Sequence, residues 1–349
     1  MKAWVLHGIN DIRYETIEKP SLSGNEVLVS VKAAGICGSD IPRIYRTGSY
    51  KHPLVPGHEF SGIVVETKSE ADKSWLGTRV GVFPLIPCGD CAPCRKEQYE
   101  ICRNYNYLGS RKNGGFAEYT AVPAGNLIRL PDSVSFEEAA MLEPMAVAVH
   151  AMRRIHLTAA DTVTVCGLGA IGLLLVMFLR EAGIGNIFTI GNKDFQKETM
   201  SYLGIDREHY CDSKTQDAGK WIMEHTDGNG TDVYFECVGK NETFAQAVDC
   251  AAPLGRICLV GNPYSDMALE KSVYWKILRN QLTVTGTWNS SFTHFENDDW
   301  NYALERVAEN RIDPARLISH RFMIGELEKG MHIMRDMAQE YIKVMGIID

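Results

Sequence analysis

The chain has 349 residues, 45% of them hydrophobic and 23% charged, which is the length of two ordinary domains and the balance of a soluble globular protein. A net charge of −8 leaves no basic excess to neutralise phosphates and argues against a nucleic-acid binder. Ten cysteines in clustered spacing point to a reducing, cytoplasmic setting in which thiols serve metals rather than disulfides.

The stretch from Met1 to Gly8 lacks the apolar run of a secretory signal. Residues 1–140 read as mostly β, with short apolar runs such as Val27–Val31 and Gly62–Glu66 set off by Gly, Pro and Asn. Cys37 lies in Gly35-Ile36-Cys37-Gly38-Ser39-Asp40, and Gly57-His58-Glu59 follows, His58 being 21 residues after Cys37. Glu143 comes later, in Leu142-Glu143-Pro144. A thiolate, an imidazole and a carboxylate make a mixed zinc shell with room for water or substrate. Read singly, each also fits a plainer role: Cys37 as a buried thiol, His58 as a core imidazole, Glu59 as a surface charge.

Between His58 and Glu143 stand Cys88, Cys91, Cys94 and Cys102, spaced C-x2-C-x2-C-x7-C. Four thiols this close can close a tetrahedral S4 shell around one zinc. An iron–sulfur cluster would accept the same spacing, and paired disulfides are a third option. Three cysteines at three-residue intervals are better placed to converge on one point. An S4 zinc has no open position, so it would organise a loop and do no chemistry.

From about residue 160 the texture changes. Apolar strands alternate with helical stretches: 163–167 then 170–182, 187–191 then 194–203, 232–238 then 242–251, followed by 256–261 and 282–288. Such a βαβ series predicts a parallel sheet with helices on both faces. The uncharged run Thr162–Leu179 is too short for a membrane span and has three glycines near its start, so a buried strand and helix are expected and no membrane partner. Gly167-Leu168-Gly169-Ala170-Ile171-Gly172 is G-x-G-x-x-G, following the strand Thr162–Cys166 and opening an apolar helix, the context in which this pattern binds a dinucleotide. The second strand ends Gly191-Asn192-Lys193-Asp194, with Gly191 where an acid would hold the ribose 2′-hydroxyl. A missing carboxylate and a nearby lysine favour NADP over NAD, whereas Lys193 as a solvated helix-start residue would leave Asp194 for the ribose of NAD. The strand ends at Val260 and at Thr287-Trp288 are expected along the nicotinamide half. A helix over 299–310 and a final strand, Tyr341–Ile348, belong to a segment too short for its own core, expected to return to the first domain.

The set Gly-His-Glu, Cys-Gly-Ser-Asp, the four-cysteine lobe and the glycine fingerprint resembles the zinc-dependent medium-chain dehydrogenases, over nearly the whole chain and in the family's order. The resemblance implies an α/β architecture: a GroES-like β-rich catalytic domain over 1–147 with two zinc sites, a Rossmann doubly wound parallel-sheet domain over 148–288, and a segment 289–349 returning to the catalytic domain. It implies Cys37 and His58 as catalytic-zinc ligands, with Glu59 and Glu143 as acids that ligate or exchange with water. It also implies Ser39 as the hydroxyl that relays the substrate proton and Asp40 as the carboxylate orienting His58. Glu143 stands where the alcohol-dehydrogenase branch has a cysteine, which points to the polyol branch. Arg43, Arg111 and Asn289 are expected at the substrate. Arg43 replaces a tyrosine and Asn289 an arginine of sorbitol dehydrogenases, so a polyol phosphate is favoured over plain sorbitol, with Arg43 and Arg111 as candidate phosphate ligands. Alternatives are a zinc dehydrogenase of unphosphorylated sugar alcohols, sugar acids or L-threonine, and a non-catalytic NADP-binding relative, which would have no need of an open metal site. The family further suggests a homodimer or homotetramer.

Overall fold

In the computed structural model every residue is described except Tyr264 and the side chain of Ala71. The chain divides into two compact units, one formed by Met1–Ala146 with Ser290–Asp349 and the other by Val147–Asn289.

The first unit is built on a seven-stranded sheet. Its strands run in the order Ile318–Met323, Lys343–Ile347, Glu26–Ile36, Glu59–Thr67, Arg79–Val82 and Leu127–Arg129, with Tyr119–Pro123 also paired to Glu26–Ile36. All pairings are antiparallel except that of the first two. The strand Glu26–Ile36 is buried along almost its whole length, because sheet neighbours flank it and core packs on it. Val27, Val29 and Val31 share a core with Phe60, Val64 and Phe116, and Leu327, Met331 and Val344 from the chain's end join it. The last sixty residues thus share the first unit's core, and the helix Asp299–Ala308 is started by a cap, Asp298 Oδ1 accepting from Asn301 N at 2.8 Å.

The second unit holds a six-stranded sheet ordered Tyr210–Asp212, Asn186–Gly191, Thr162–Cys166, Thr231–Glu236, Ala251–Leu259 and Thr283–Gly286, parallel throughout. This is the doubly wound order whose ligands sit at the carboxyl ends of the strands. Register aligns those ends: Cys166 lies opposite both Ile190 and Glu236, Glu236 opposite Leu259, and Leu259 opposite Gly286. The run expected over 282–288 is a strand only over Thr283–Gly286, leaving Thr287 and Trp288 in the following loop. Sequence reading does not name the strand Tyr210–Asp212 or the helices Ala218–His225 and Lys271–Arg279. The strand Tyr210–Asp212 is too short to alternate, and the helix Lys271–Arg279 buries Val273 while exposing Tyr274, Trp275 and Leu278, which blurs its apolar stripe. Among the described residues, no helix is long and apolar enough to cross a membrane.

Candidate active site

The four-cysteine loop hangs from a two-stranded ribbon, Leu85–Ile86 paired with Asn106–Tyr107. Its sulfurs all lie within 4.8 Å of one another, with Cys91–Cys94 at 3.4 Å, Cys91–Cys102 at 3.8 Å and Cys88–Cys94 at 3.9 Å. None forms a disulfide. A tetrahedron of sulfurs about 2.3 Å from a central zinc has edges of about 3.8 Å, close to the separations of 3.4–3.9 Å in this cage. Backbone N–H groups of Arg103 and Cys94 pull the Cys91 thiol down to about 6, while burial pushes Cys94 up to about 12.

A second cluster lies in the same unit. Gly35 pairs with Glu59 across the sheet, so Cys37, just beyond one strand, and His58, just before the other, emerge side by side. The ligand atoms of Cys37, His58 and Glu59 fall within 4.8 Å of one another. Ser39 Oγ donates to Cys37 Sγ at 3.4 Å. Behind them sits Asp40, fully buried: Oδ2 accepts from Cys37 N at 3.0 Å, and Oδ1 takes Arg43 Nη1 at 2.5 Å and lies 3.4 Å from His58 Nδ1. That last contact is an ion-pair separation rather than a well-formed hydrogen bond, and His58 Nδ1 has no other partner. Burial disfavours charge on both groups. The His58 imidazole nevertheless lowers Asp40, helped by Arg43, and the Asp40 carboxylate and Cys37 sulfur raise His58 well above its usual value.

Glu143, in the first turn of Leu142–Arg154, stands outside the 4.8 Å set and accepts from Tyr107 Oη at 3.2 Å. Burial drives its carboxyl up to about 7, with Glu59 adding to the rise and His58 and Lys343 opposing it. Burial, Glu143 and Cys37 push the Tyr107 phenol well above its usual value. Glu59 is held by Lys343, whose Nζ lies 2.8 and 2.6 Å from its two carboxylate oxygens, both residues being buried. Cys37, Asp40, Glu59 and Glu143 thus gather around His58, with Arg43 and Lys343 on Asp40 and Glu59. The donor set of sulfur, imidazole and carboxylate suits zinc.

Tyr107 and Lys343 were missed by sequence reading. Tyr107 ends a two-residue strand too short to show any alternation that would mark it. Lys343 carried a signal, being a lone cation in the apolar strand expected over Tyr341–Ile348. Of the residues expected at the substrate, Arg43 is tied to Asp40. Arg111 is stacked between Tyr50 and Tyr105, 4.3 and 4.4 Å from their ring centroids, with a buried Nε that has no partner. Asn289 belongs to the other unit, in a left-handed conformation (φ 52°).

In the second unit, the turn after Thr162–Cys166 is built as the fingerprint predicts. Gly167 has φ +97°, and a Cβ at Gly172 would stand 2.0 Å from Gly167 O, so both need glycine for backbone reasons. A Cβ at Gly169 would meet nothing within 4 Å; that open space lies at the N-terminus of Ala170–Glu181, where donors and helix dipole await a phosphate. Ala170 and Ile171 form the first turn of that helix. We expect Gly172→Ala to abolish cofactor binding or folding, readable as loss of dinucleotide-induced thermal shift; a normal shift would contradict this packing. Gly191 has no room for a side chain: a Cβ would stand 2.6 Å from Gln196 Oε1 and 2.9 Å from Tyr210 Oη. Gln196 Oε1 also accepts from Asn192 N and Lys193 N, so those two amides are occupied by the protein. Lys193 Nζ lies 5.6 Å from the Phe195 ring centroid. At the other strand ends, Val260 N donates to Glu236 O, and Thr287 Oγ1 is buried without a partner, while Trp288 is exposed.

A parallel sheet with a dinucleotide turn, joined in one chain to a unit holding a cysteine cage and a mixed-donor cluster, defines an alcohol-oxidising zinc dehydrogenase by class. Residues 23–132 match the alcohol dehydrogenase GroES-like domain, and residues 170–309 match the zinc-binding dehydrogenase domain. The chain belongs to this family of zinc-dependent, NAD(P)-linked medium-chain dehydrogenases, within its polyol dehydrogenases. It is 31% identical to galactitol 1-phosphate 5-dehydrogenase of Escherichia coli over 90% of both chains. The solved galactitol-1-phosphate dehydrogenase from Escherichia coli superposes with a TM-score of 0.92 over 99% of this chain and 100% of that one, at 30% identity. L-idonate 5-dehydrogenase of Vitis vinifera is 33% identical over 93% of this chain and 88% of its own length. A zinc-binding dehydrogenase from Sinorhizobium meliloti bound to NADP aligns with a TM-score of 0.90 at 28% identity, covering 99% and 98%.

Proposed function

We propose that the chain oxidises a secondary alcohol of a polyol phosphate, with zinc held by Cys37, His58 and an acid drawn from Glu59 and Glu143. The observation that carries this reading is the convergence of Cys37, His58 and Glu59 within 4.8 Å, backed by the buried Asp40. Zinc, when bound, supplies a Lewis acid that lowers the pKa of the substrate hydroxyl, and the nicotinamide accepts the hydride from the carbinol carbon. The chain's own work is positional. Asp40 fixes the ring of His58 from behind. Ser39 Oγ, beside the Cys37 sulfur, takes the hydroxyl proton and passes it toward solvent. Cys88, Cys91, Cys94 and Cys102 would hold a second zinc that fixes their loop and touches no substrate. Activity lost on chelation and regained with zinc supports the reading, while unaltered turnover by metal-free protein would defeat it.

The phosphate is assigned to Arg111, whose Nε is buried without a partner, with Arg43 beside the metal site. Hydrogen bonds to charged groups contribute about 1.5–3 kcal/mol, so Arg111→Ala is expected to lower kcat/KM for a polyol phosphate about ten- to a hundredfold. The unphosphorylated polyol should change little; equal losses on both substrates would sink the assignment. For the cofactor, the side-chain-free position at Gly191 and the lysine at 193 favour NADP. KM for NADPH should lie below that for NADH, and a clear preference for NADH would reject this. The edge strand Thr283–Gly286 and the exposed Tyr274, Trp275, Leu278 and Val284 suit a homo-oligomeric contact, a dimer or tetramer. Light scattering should report an oligomer that Val284→Lys dissociates; a monomeric wild-type protein would contradict it.

A further inference from the structure

Lys343 is a buried cation pointed at a candidate metal ligand. Both Glu59 oxygens lie within hydrogen-bond distance of its Nζ, which also reaches Ile36 O at 3.5 Å. The pairing Val344↔Ile36 delivers Lys343 to this point across the sheet. Room for the carboxylate is made by Gly35, opposite Glu59: a Cβ there would stand 2.3 Å from Glu59 Oε2. Yet a Glu59 oxygen also belongs to the 4.8 Å set with Cys37 and His58. One carboxylate is therefore offered to two cations. Glu143 is held more loosely, by a single phenol contact at 3.2 Å.

We propose that Lys343 is a positioning residue that competes with the metal for the Glu59 carboxylate and so keeps one zinc position open for the alcohol. This rests on the zinc reading of Cys37 and His58. When Glu59 stays on Lys343, zinc retains an exchangeable position. When Lys343 is removed, the orphaned carboxylate has only the metal to neutralise it, because an unpaired buried charge is strongly disfavoured. Zinc should then bind more tightly and turn over more slowly.

The test is zinc affinity of the intact protein by competition with a chromophoric chelator, with Cys37→Ala assigning which ion is released. Lys343→Met should tighten the Cys37 zinc by about ten- to a hundredfold, the scale on which partners of metal ligands act. Its kcat should fall while KM for the nicotinamide cofactor holds, and Lys343→Arg should restore both. In a Glu59→Gln background the same lysine substitution should leave zinc affinity unchanged. An equal gain with and without Glu59 would show a bare charge effect and overturn the competition. Unchanged affinity in Lys343→Met would overturn it too. If Lys343→Met does not fold, Lys343→Gln, which keeps hydrogen-bond donors, carries the same comparison. Wild-type protein holding only the zinc of the four-cysteine loop would instead refute the underlying zinc reading.

Discussion

Cys37→Ala is expected to lower kcat/KM for the alcohol by about a thousandfold or more while the protein stays folded and keeps the zinc of the cysteine cage. The thiolate is one of three donors within 4.8 Å, and Asp40 is fixed to its backbone N–H at 3.0 Å. Alanine keeps that backbone contact and removes only the sulfur. The remaining donors then leave zinc underliganded, since catalytic zinc is held by three protein ligands. A Lewis acid worth several kcal/mol of transition-state stabilisation, about 4 kcal/mol, corresponds to about a thousandfold in rate. Steady-state kinetics with metal analysis on the same sample measures both. A variant that has lost the site zinc yet keeps wild-type turnover would remove Cys37 from the chemistry.

Cys94→Ser should have the opposite signature. Cys94 is buried and its sulfur contacts those of Cys88 and Cys91. Losing it opens the S4 shell, and structural zinc contributes folding energy directly, on the order of 10 kcal/mol in isolated zinc-finger peptides. The loss here stays local, because the loop 88–102 is tethered to the rest of the unit by the ribbon Leu85–Ile86 with Asn106–Tyr107. One zinc per chain should disappear, proteolysis should cut within the loop, and the melting temperature should fall by several degrees or more. Turnover can drop, since Tyr107 closes the ribbon and contacts Glu143. The ratio of kcat/KM between two alcohols should not move. A changed ratio would mean the cage does more than hold its loop.

Much of this arrangement was legible in the chain because it is local. The glycine turn is legible since strand, glycines and helix are contiguous, and the clustering of the four cysteines since their sulfurs come from one loop. Cys37 and His58 were nameable, but their meeting depends on Gly35 pairing with Glu59 across two strands. Lys343 reaches Glu59 from 284 residues away, a contact set by strand order that no spacing rule encodes. Arg43 shows how one charge can serve two ends: it suggests a substrate ligand, and the fold also gives it a buried partner three residues away in Asp40. The missing acid at Gly191 also has a steric cause in Gln196 and Tyr210, which adjacency along the chain conceals.

The most direct measurement is reduction of NADP and NAD by a panel of polyols and polyol phosphates, run on protein as prepared, after chelation, and after zinc is returned. The account predicts turnover of a polyol phosphate that vanishes with the Cys37 zinc and reappears with it. Sustained turnover by metal-free protein, or none with any polyol by protein holding both zinc ions, would contradict it.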